Sequence, residues 1–434
     1  MSEKIYHRAD ILFGKCENIA ANVEAVQFHG IKRTKSDALV KEVAYLYRSS
    51  TLSELLHNVH LAASHLQEIG LMDSATPLID TADDDPNKYI VNFVVKEPRS
   101  FSVEAKAGIT TRGDADISLM AQQPSFNGRG ENISASYSHS VKGDQSFYLS
   151  FFKPFLGWQK YSNISLAAYR SLAYLPWIKV NIEENGMVAQ YNGQLWNRKL
   201  LHAVKLNTIW RKMSPTDATS FSVREYAGHS MKCSLENTLA YDTRDRALLA
   251  TRGLLLRLSQ EYAGSLGDAS FVKHQFDAQA AAPLILGAIL SASFRFATLH
   301  ALNNRSIHVL DRIYLGGPHD VRGFDLNTIG PRDGASCLGG AASYCAAVHI
   351  YRPLVPANML YAHIFASNGA VASVTSNNRF EYMRDAQRIT GGIGLSFVFR
   401  NIVRLELNYV FPLRFVPGDL CSTGVQFGAG INFL

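Results

Sequence analysis

Apolar and polar residues alternate one for one over most of this chain. Val103, Ala105, Ala107 and Ile109 alternate with Glu104, Lys106 and Gly108. Val272, Phe276, Ala278 and Ala280 alternate with Lys273, Gln275, Asp277 and Gln279, and Val403, Leu405, Leu407, Tyr409 and Phe411 with Arg404, Glu406 and Asn408. A period of two marks a strand whose two faces meet different surroundings. The pattern begins near Phe101 and runs to the last residue, Leu434. Segment counting predicts about sixteen antiparallel strands, with Thr219–Tyr226 taken as an extended loop and short turns such as Thr111-Arg112-Gly113-Asp114 between strands. Charge on one face of strand after strand does not fit the inside of a packed soluble sandwich; it fits the lumen of a membrane β-barrel. The uncharged run Ala278–Phe294 is shorter than the roughly 20 residues a membrane helix needs. Gln279, Pro283 and Gly287 interrupt it, so it reads as two strands joined near Pro283–Gly287.

The period changes before residue 99. Residues 19–98 read as a small α/β unit that opens on a strand, Ala25-Val26-Gln27-Phe28. A helix capped by Ser36 or Asp37 follows, with Leu39, Val40, Val43 and Leu46 on one face. A second helix starts after Thr51 or Ser53, repeats Leu55, Leu56, Val59, Ala62, Ala63 and Leu66, and stops at Gly70. Leu71-Met72 and an aspartate-rich turn, Asp83-Asp84-Asp85-Pro86, lead into a closing strand, Tyr89–Glu97. The expected organisation is a tail over 1–18, the α/β unit over 19–98 and the strand series over 99–434.

Composition agrees with a barrel. Of 434 residues, 47% are hydrophobic and 18% charged, with 19 Tyr and 23 Phe; mean hydropathy is −0.04. Charge is below the usual ~25%, as expected when one face of each strand meets lipid. The net charge of +6 is spread out, with no basic run beyond Lys32-Arg33-Thr34-Lys35, so nucleic acid is not an expected partner. Residues 1–18 carry charges and no apolar core, so no secretory leader is expected. Five scattered cysteines and fourteen histidines form no metal-ligand spacing, and no nucleotide loop or nucleophile motif is present. The expectation is a protein that is not an enzyme and uses no cofactor or metal.

One segment breaks the alternation. Leu315-Gly316-Gly317-Pro318-His319-Asp320-Val321-Arg322-Gly323-Phe324 is glycine-rich with one arginine, followed by Gly330-Pro331 and Leu338-Gly339-Gly340. Set inside a long series of alternating strands, Val321-Arg322-Gly323-Phe324 resembles the signature loop of the outer-membrane β-barrel assembly superfamily. Tyr241-Asp242-Thr243-Arg244-Asp245 with Thr251-Arg252-Gly253 is similar to that family's strand-end motif. Arg404–Tyr409, closing at Phe411-Pro412, is similar to its penultimate strand. The unit at 19–98 resembles a polypeptide-transport-associated (POTRA) domain. Gln426-x-Gly428-x-x-Ile431-x-Phe433 matches the polar-x-Gly-x-x-hydrophobic-x-hydrophobic sorting signal of mitochondrial β-barrels. Together these resemble the barrel subunit of the mitochondrial sorting and assembly machinery, over residues ~19–434.

The resemblance implies that a loop at about 301–340, with Gly316, Gly317 and Gly323 at its bends, enters the lumen and that Arg322 touches the wall. Bacterial relatives hold this arginine with acids; the matching places here are His349 and Ser367, and Glu406 is the first choice of partner. The implied activity is insertion of β-barrel precursors into the mitochondrial outer membrane, through a weak seam between the first strand (about Ser102–Thr110) and the last (about Gly424–Phe433). The implied partners are barrel precursors, lipid, metaxin-type subunits and an inner-membrane contact-site complex, with the POTRA domain in the intermembrane space. Other readings are an anion-channel-type pore, or a barrel of the same superfamily that exports protein.

Overall fold

The computed structural model describes residues 19–82, 85, 87–109, 115–157, 161–195, 199–355, 359–376, 378–399 and 403–430. Backbone proximity divides the chain into two compact units: residues up to Glu104 with Met120–Ala135 and Leu149–Ser165, and Ala105–Leu119 with Ser136–Tyr148 and Leu166–Leu434.

In the first unit, β1 (Asn22–His29) is followed by helices α1 (Ser36–Val43) and α2 (Leu52–Glu68), then β2 (Ser74–Thr81) and β3 (Lys88–Lys96). The strand order is β1-β3-β2, with β1 parallel and β2 antiparallel to β3. Leu39, Val43, Leu46, Leu55, Val59 and Leu66 pack with Val91 and Phe93 into one core. Val40 is a correction: it is 61% exposed. The buried stripe of α1 runs through Leu39 and Val43, and at 3.6 residues per turn Val40 lies about 60° outside its edge. Thr51 caps α2 by accepting from the Glu54 N–H, and Gly70 follows α2 at φ +74°. The strand β2 has no clear signal in the sequence, because Pro77 at its centre reads as a break; it is tolerated because β2 is an edge strand. Burial pushes the Glu97 carboxyl up, but the N–H groups of Thr34, Arg33 and Lys32 and the Thr34 hydroxyl hold it down at about 2.

The remaining strands form a sixteen-stranded antiparallel sheet. They are β4 (Ser102–Ile109), β5 (Ala115–Pro124), β6 (Asn132–Ser140), β7 (Gln145–Pro154), β8 (Asn163–Leu175), β9 (Val180–Leu195), β10 (Leu200–Pro215), β11 (Gly228–Asp242), β12 (Gly253–Gly267), β13 (Phe271–Pro283) and β14 (Ile289–Ala301), then β17 (Ala342–Pro353), β18 (Leu360–Ala372), β19 (Arg388–Phe399), β20 (Val403–Arg414) and β21 (Gly424–Gly430). Two short strands, β15 (Arg332–Asp333) and β16 (Ser336–Cys337), pair only with each other. Each long strand is bonded to its sequence neighbours, with β14 meeting β17 across the intervening chain, and β4 and β21 are the two ends of the order. Among the described residues these two ends are not paired with each other. Thr219–Tyr226 holds a helical turn, α3 (Phe221–Arg224), and so adds no strand; α4 (Arg379–Asp385) lies between β18 and β19. The turn at 111–114 and the signal positions Ile431 and Phe433 lie outside the described residues.

The two faces of this sheet are inverted relative to a soluble protein. On β20, Arg404, Glu406 and Asn408 are buried while Leu407 and Tyr409 are exposed; on β18 His363 and Ser367 are buried and Ile364 is 62% exposed. Polar residues inside and apolar residues outside are unfavourable in water and are what a bilayer requires of a strand.

Candidate functional site

The chain between β14 and β17 folds onto the polar face of the sheet. It closes on itself through antiparallel bridges, Ile313 with Gly340 and Leu315 with Ile329. Val321 and Phe324 are fully buried and pack with Leu315 and Ile329 against Cys345 of β17 and Val371 of β18. Gly323 holds φ +84°, and a Cβ there would lie 2.7 Å from Val410 Cγ1 of β20. Conformation and contact both require glycine at this point. Gly316 and Gly317 take φ values of +117° and +114°.

Burial of the apolar flanks carries Arg322 into the wall. Its side chain and that of Glu406 are both 0% exposed. Arg322 donates from Nε at 3.1 Å and from Nη2 at 3.0 Å to Glu406 Oε2. Arg404 donates to the other oxygen of Glu406 and to the Tyr351 hydroxyl, and Asn408 Nδ2 donates to Oε2 at 2.9 Å. One carboxylate therefore serves two guanidiniums, a charge-assisted arrangement that suits planar forks. The Arg322 guanidinium also lies 5.1 Å from the Phe365 ring centre.

His349 and Ser367 spend their hydrogen bonds elsewhere. His349 Nδ1 is 2.8 Å from the Tyr351 hydroxyl, and Ser367 is 2.7 Å from Thr390 Oγ1. His349 still lines the cluster, its ring 5.8 Å from Phe365. Room for these side chains comes from β19: a Cβ on Gly392 would meet the Phe365 ring at 2.7 Å, and one on Gly394 would meet Asn408 Oδ1 at 2.0 Å.

Two further charged residues of the loop, Asp311 and Asp320, are ion-paired to the sheet, and sequence reasoning missed both. Arg211 of β10 grips Asp311 with two parallel bonds, 2.8 and 2.9 Å, and Lys232 of β11 stands 3.3 Å from the same carboxylate. Arg295 of β14 donates to Asp320 at 2.8 Å and to Asp277 at 2.6 Å. The loop is thus fastened to β10, β14 and β20.

The loop also reaches the last strand. Gly323 N–H donates to Gln426 Oε1 at 3.0 Å, and Gln426 Nε2 donates to the Phe324 carbonyl at 3.2 Å. Just before β21, Ser422 N–H donates to the Gly323 carbonyl at 2.9 Å and Asp325 N–H to the Leu420 carbonyl at 3.2 Å. Gly428 stands opposite Glu406 in the β20–β21 ladder. The described residues hold no group of three His, Cys, Asp or Glu able to ligate a metal.

A known family matches the stretch that holds this loop and most of the sheet. The Omp85 superfamily domain matches residues 125–433. The human sorting and assembly machinery component 50 homolog is 33% identical, covering 96% of this chain and 92% of that protein. The chain belongs to the Omp85 superfamily. Homolog B of the same component from Xenopus laevis is 34% identical over the same shares, 96% and 92%. Among solved structures, BamA from Haemophilus ducreyi lacking POTRA domains 1–3 matches with a TM-score of 0.77 at 16% identity, covering 94% of this chain and 85% of that one. That likeness concerns the fold: an Omp85 sheet preceded by a small α/β unit.

Proposed function

We propose that this protein inserts and folds β-barrel precursors in the mitochondrial outer membrane, as a sorting-machinery barrel. The observation that carries the reading is the loop: Val321-Arg322-Gly323-Phe324 is fixed to β20 through Glu406 and to β21 through Gln426, while β4 and β21 remain the ends of the strand order. A strand edge offers N–H and C=O groups to any extended segment. A precursor's terminal strand pairs with β4 as a template, and apolar burial in lipid drives its insertion. Gly424, Gly428 and Gly430 lower the strength with which β21 holds that place. No covalent step and no cofactor enters this scheme.

The site residues take three roles in this reading. Val321, Arg322, Gly323, Phe324, Gly316 and Gly317 build the lumen loop; Glu406 anchors it, with His349 and Ser367 lining the same wall. Gln426 and Gly428, with Ile431 and Phe433 beyond the described residues, form the terminal signal and the seam. Residues 19–98 act as a POTRA domain in the intermembrane space, and residues 99–434 as the barrel. Partners are barrel precursors and lipid, with metaxin-type subunits on the cytosolic face and an inner-membrane contact-site complex. The anion-channel reading accounts for neither the α/β unit nor the loop.

The test is site-specific crosslinking from Val103 or Ala105 of β4 to an arrested barrel precursor. A crosslink to the precursor's last strand is the expected result; adducts with no precursor strand would remove the template scheme. Carbonate extraction and protease protection complete the test. The protein should stay in the membrane pellet, and residues 19–98 should become protease-sensitive only after the outer membrane is ruptured.

A further inference from the structure

The contact between Gln426 and the loop has a chemistry that neither the terminal signal nor the anchor at Glu406 requires. A carboxamide accepts at its oxygen and donates from its nitrogen, in one plane and with no charge. Gln426 uses both: Oε1 takes the Gly323 N–H and Nε2 meets the Phe324 carbonyl. The two groups it meets belong to consecutive residues of the loop motif, so the pair resembles one rung of a sheet made by a side chain. Gln426 is 9% exposed and faces Asn408 in the β20 ladder. At the far end of β21, a Cβ on Gly430 would stand 2.8 Å from the His319 ring. At the near end, the strap through Ser422 and Asp325 ties the loop to the chain entering β21.

A strand rich in glycine is weakly held. Among the described residues β21 pairs with β20 from Gly424 to Gly430, and three of those seven are glycine. Its second hold is the loop on its polar face. We infer that Gln426 is a positioning residue: its carboxamide latches the last strand to the loop, so that β21 stays in register on the loop and β20 when it is not paired at the seam. This rests on the insertion reading above and adds to it how the seam strand is kept in place. The loop is fixed to β20 through Arg322, so the latch makes loop, β20 and β21 a single body, and opening at the seam separates β4 from that body.

The test uses the full chain, refolded into liposomes so that its own import plays no part, with Gln426→Glu and Gln426→Met. A carboxylate accepts from Gly323 but cannot donate to Phe324; a protonated carboxyl does both, and Met does neither at similar volume. Hydrogen exchange is read on the peptide spanning 316–330, as a ratio to wild type at each pH. The expected result for Gln426→Glu is exchange roughly tenfold faster than wild type at pH 7.5, returning towards wild type as the pH falls and the carboxylate takes up a proton. Gln426→Met should be fast at both. Insertion of an unfolded barrel precursor into the same liposomes should fall several-fold for both variants at pH 7.5. Exchange equal to wild type in both variants overturns the latch. Faster exchange that shows no pH dependence in Gln426→Glu assigns the effect to packing and overturns the carboxamide chemistry. Faster exchange with unchanged precursor insertion overturns the positioning role. If the wild-type protein inserts no precursor, the insertion reading fails, and the exchange arm still decides the latch.

Discussion

Arg322 shows what a single residue contributes, because a guanidinium with no exposed surface persists only where its charge and its donors are met. Removing one partner of a buried ion pair costs ~3–5 kcal/mol, mostly from the stranded charge. In Arg322→Ala the stranded group, Glu406, keeps Arg404 and Asn408 as partners, so the loss should sit near the low end of that range. The variant should therefore still reach the membrane, while its yield of inserted precursor falls several-fold in an import assay. Arg322→Lys should recover part of it, since an ammonium supplies the charge without a fork that bonds through both Nε and Nη2. Glu97 permits a second prediction at this scale. Its folded value, about 2, lies below its ordinary 4.5, so its contribution is fully present above 4.5 and is lost as the pH falls from there towards 2. The shift corresponds to at most roughly 3 kcal/mol, less what solvent screening removes. Hydrogen-exchange protection along β1 and β3, taken against the intrinsic rate at each pH, should fall through that window, and Glu97→Gln should be destabilised at pH 7 and flat across it. Glu406 was legible as a partner because Arg404-Leu405-Glu406-Leu407-Asn408 places it on the polar face. Arg211, Arg295, Asp311 and Asp320 were not, because every charge on an alternating strand looks alike until a loop about a hundred residues away is laid against it, as with Arg211 and Asp311.

At the scale of the element, alternation made the long strands readable and irregularity hid the rest. The two strands either side of Pro283–Gly287 could be read because proline and glycine stop pairing where the charge-free run reverses. β2 escaped notice because its one clear signal, Pro77, argues against a strand unless the strand is known to lie at an edge. The glycines of β19 were readable as residues but not as a purpose. Gly392 and Gly394 leave the polar face of β19 bare, and the Phe365 ring and the Asn408 amide occupy the space. A Cβ at Gly394 would also stand 2.8 Å from the Leu407 carbonyl on the neighbouring strand, and backbone does not yield as a flexible side chain does. Gly394→Val should therefore force β19 from β20 and turn the Asn408 amide from Glu406, at about 1–3 kcal/mol of overpacking. The check is the temperature at which the folded band is lost on a heated gel, expected to drop by several degrees. Gly418 lies in a turn at φ +93°, with no atom within 4 Å of where a Cβ would stand, so Gly418→Val is a control for backbone strain alone.

Across the whole molecule, the loop joins strands that are far apart in the sheet order. Asp311 holds β10 and β11, Asp320 holds β14, and Arg322 holds β20, all within a dozen residues of loop. The ordinary expectation is that distant substitutions add, to within ~0.3–0.5 kcal/mol. A loop that acts as one strut departs from this, because freeing either end lets the other relax. Asp311→Asn leaves Arg211 without its bidentate acceptor and should cost ~3–5 kcal/mol, lessened where Lys232 and Glu261 rearrange. Exchanging the charges, Arg211→Asp with Asp311→Arg, should recover part of that loss, since the partners remain face to face. The decisive quantity is the coupling between Asp311→Asn and Arg322→Ala. Once the first substitution has released the loop from β10, the second should cost at least ~1 kcal/mol less than it does alone. Denaturant unfolding of the four proteins in one detergent measures it. Additive losses would mean that the three charged residues fasten the loop independently, and that opening the sheet at β4 leaves the β10 wall unaffected by what happens at Arg322.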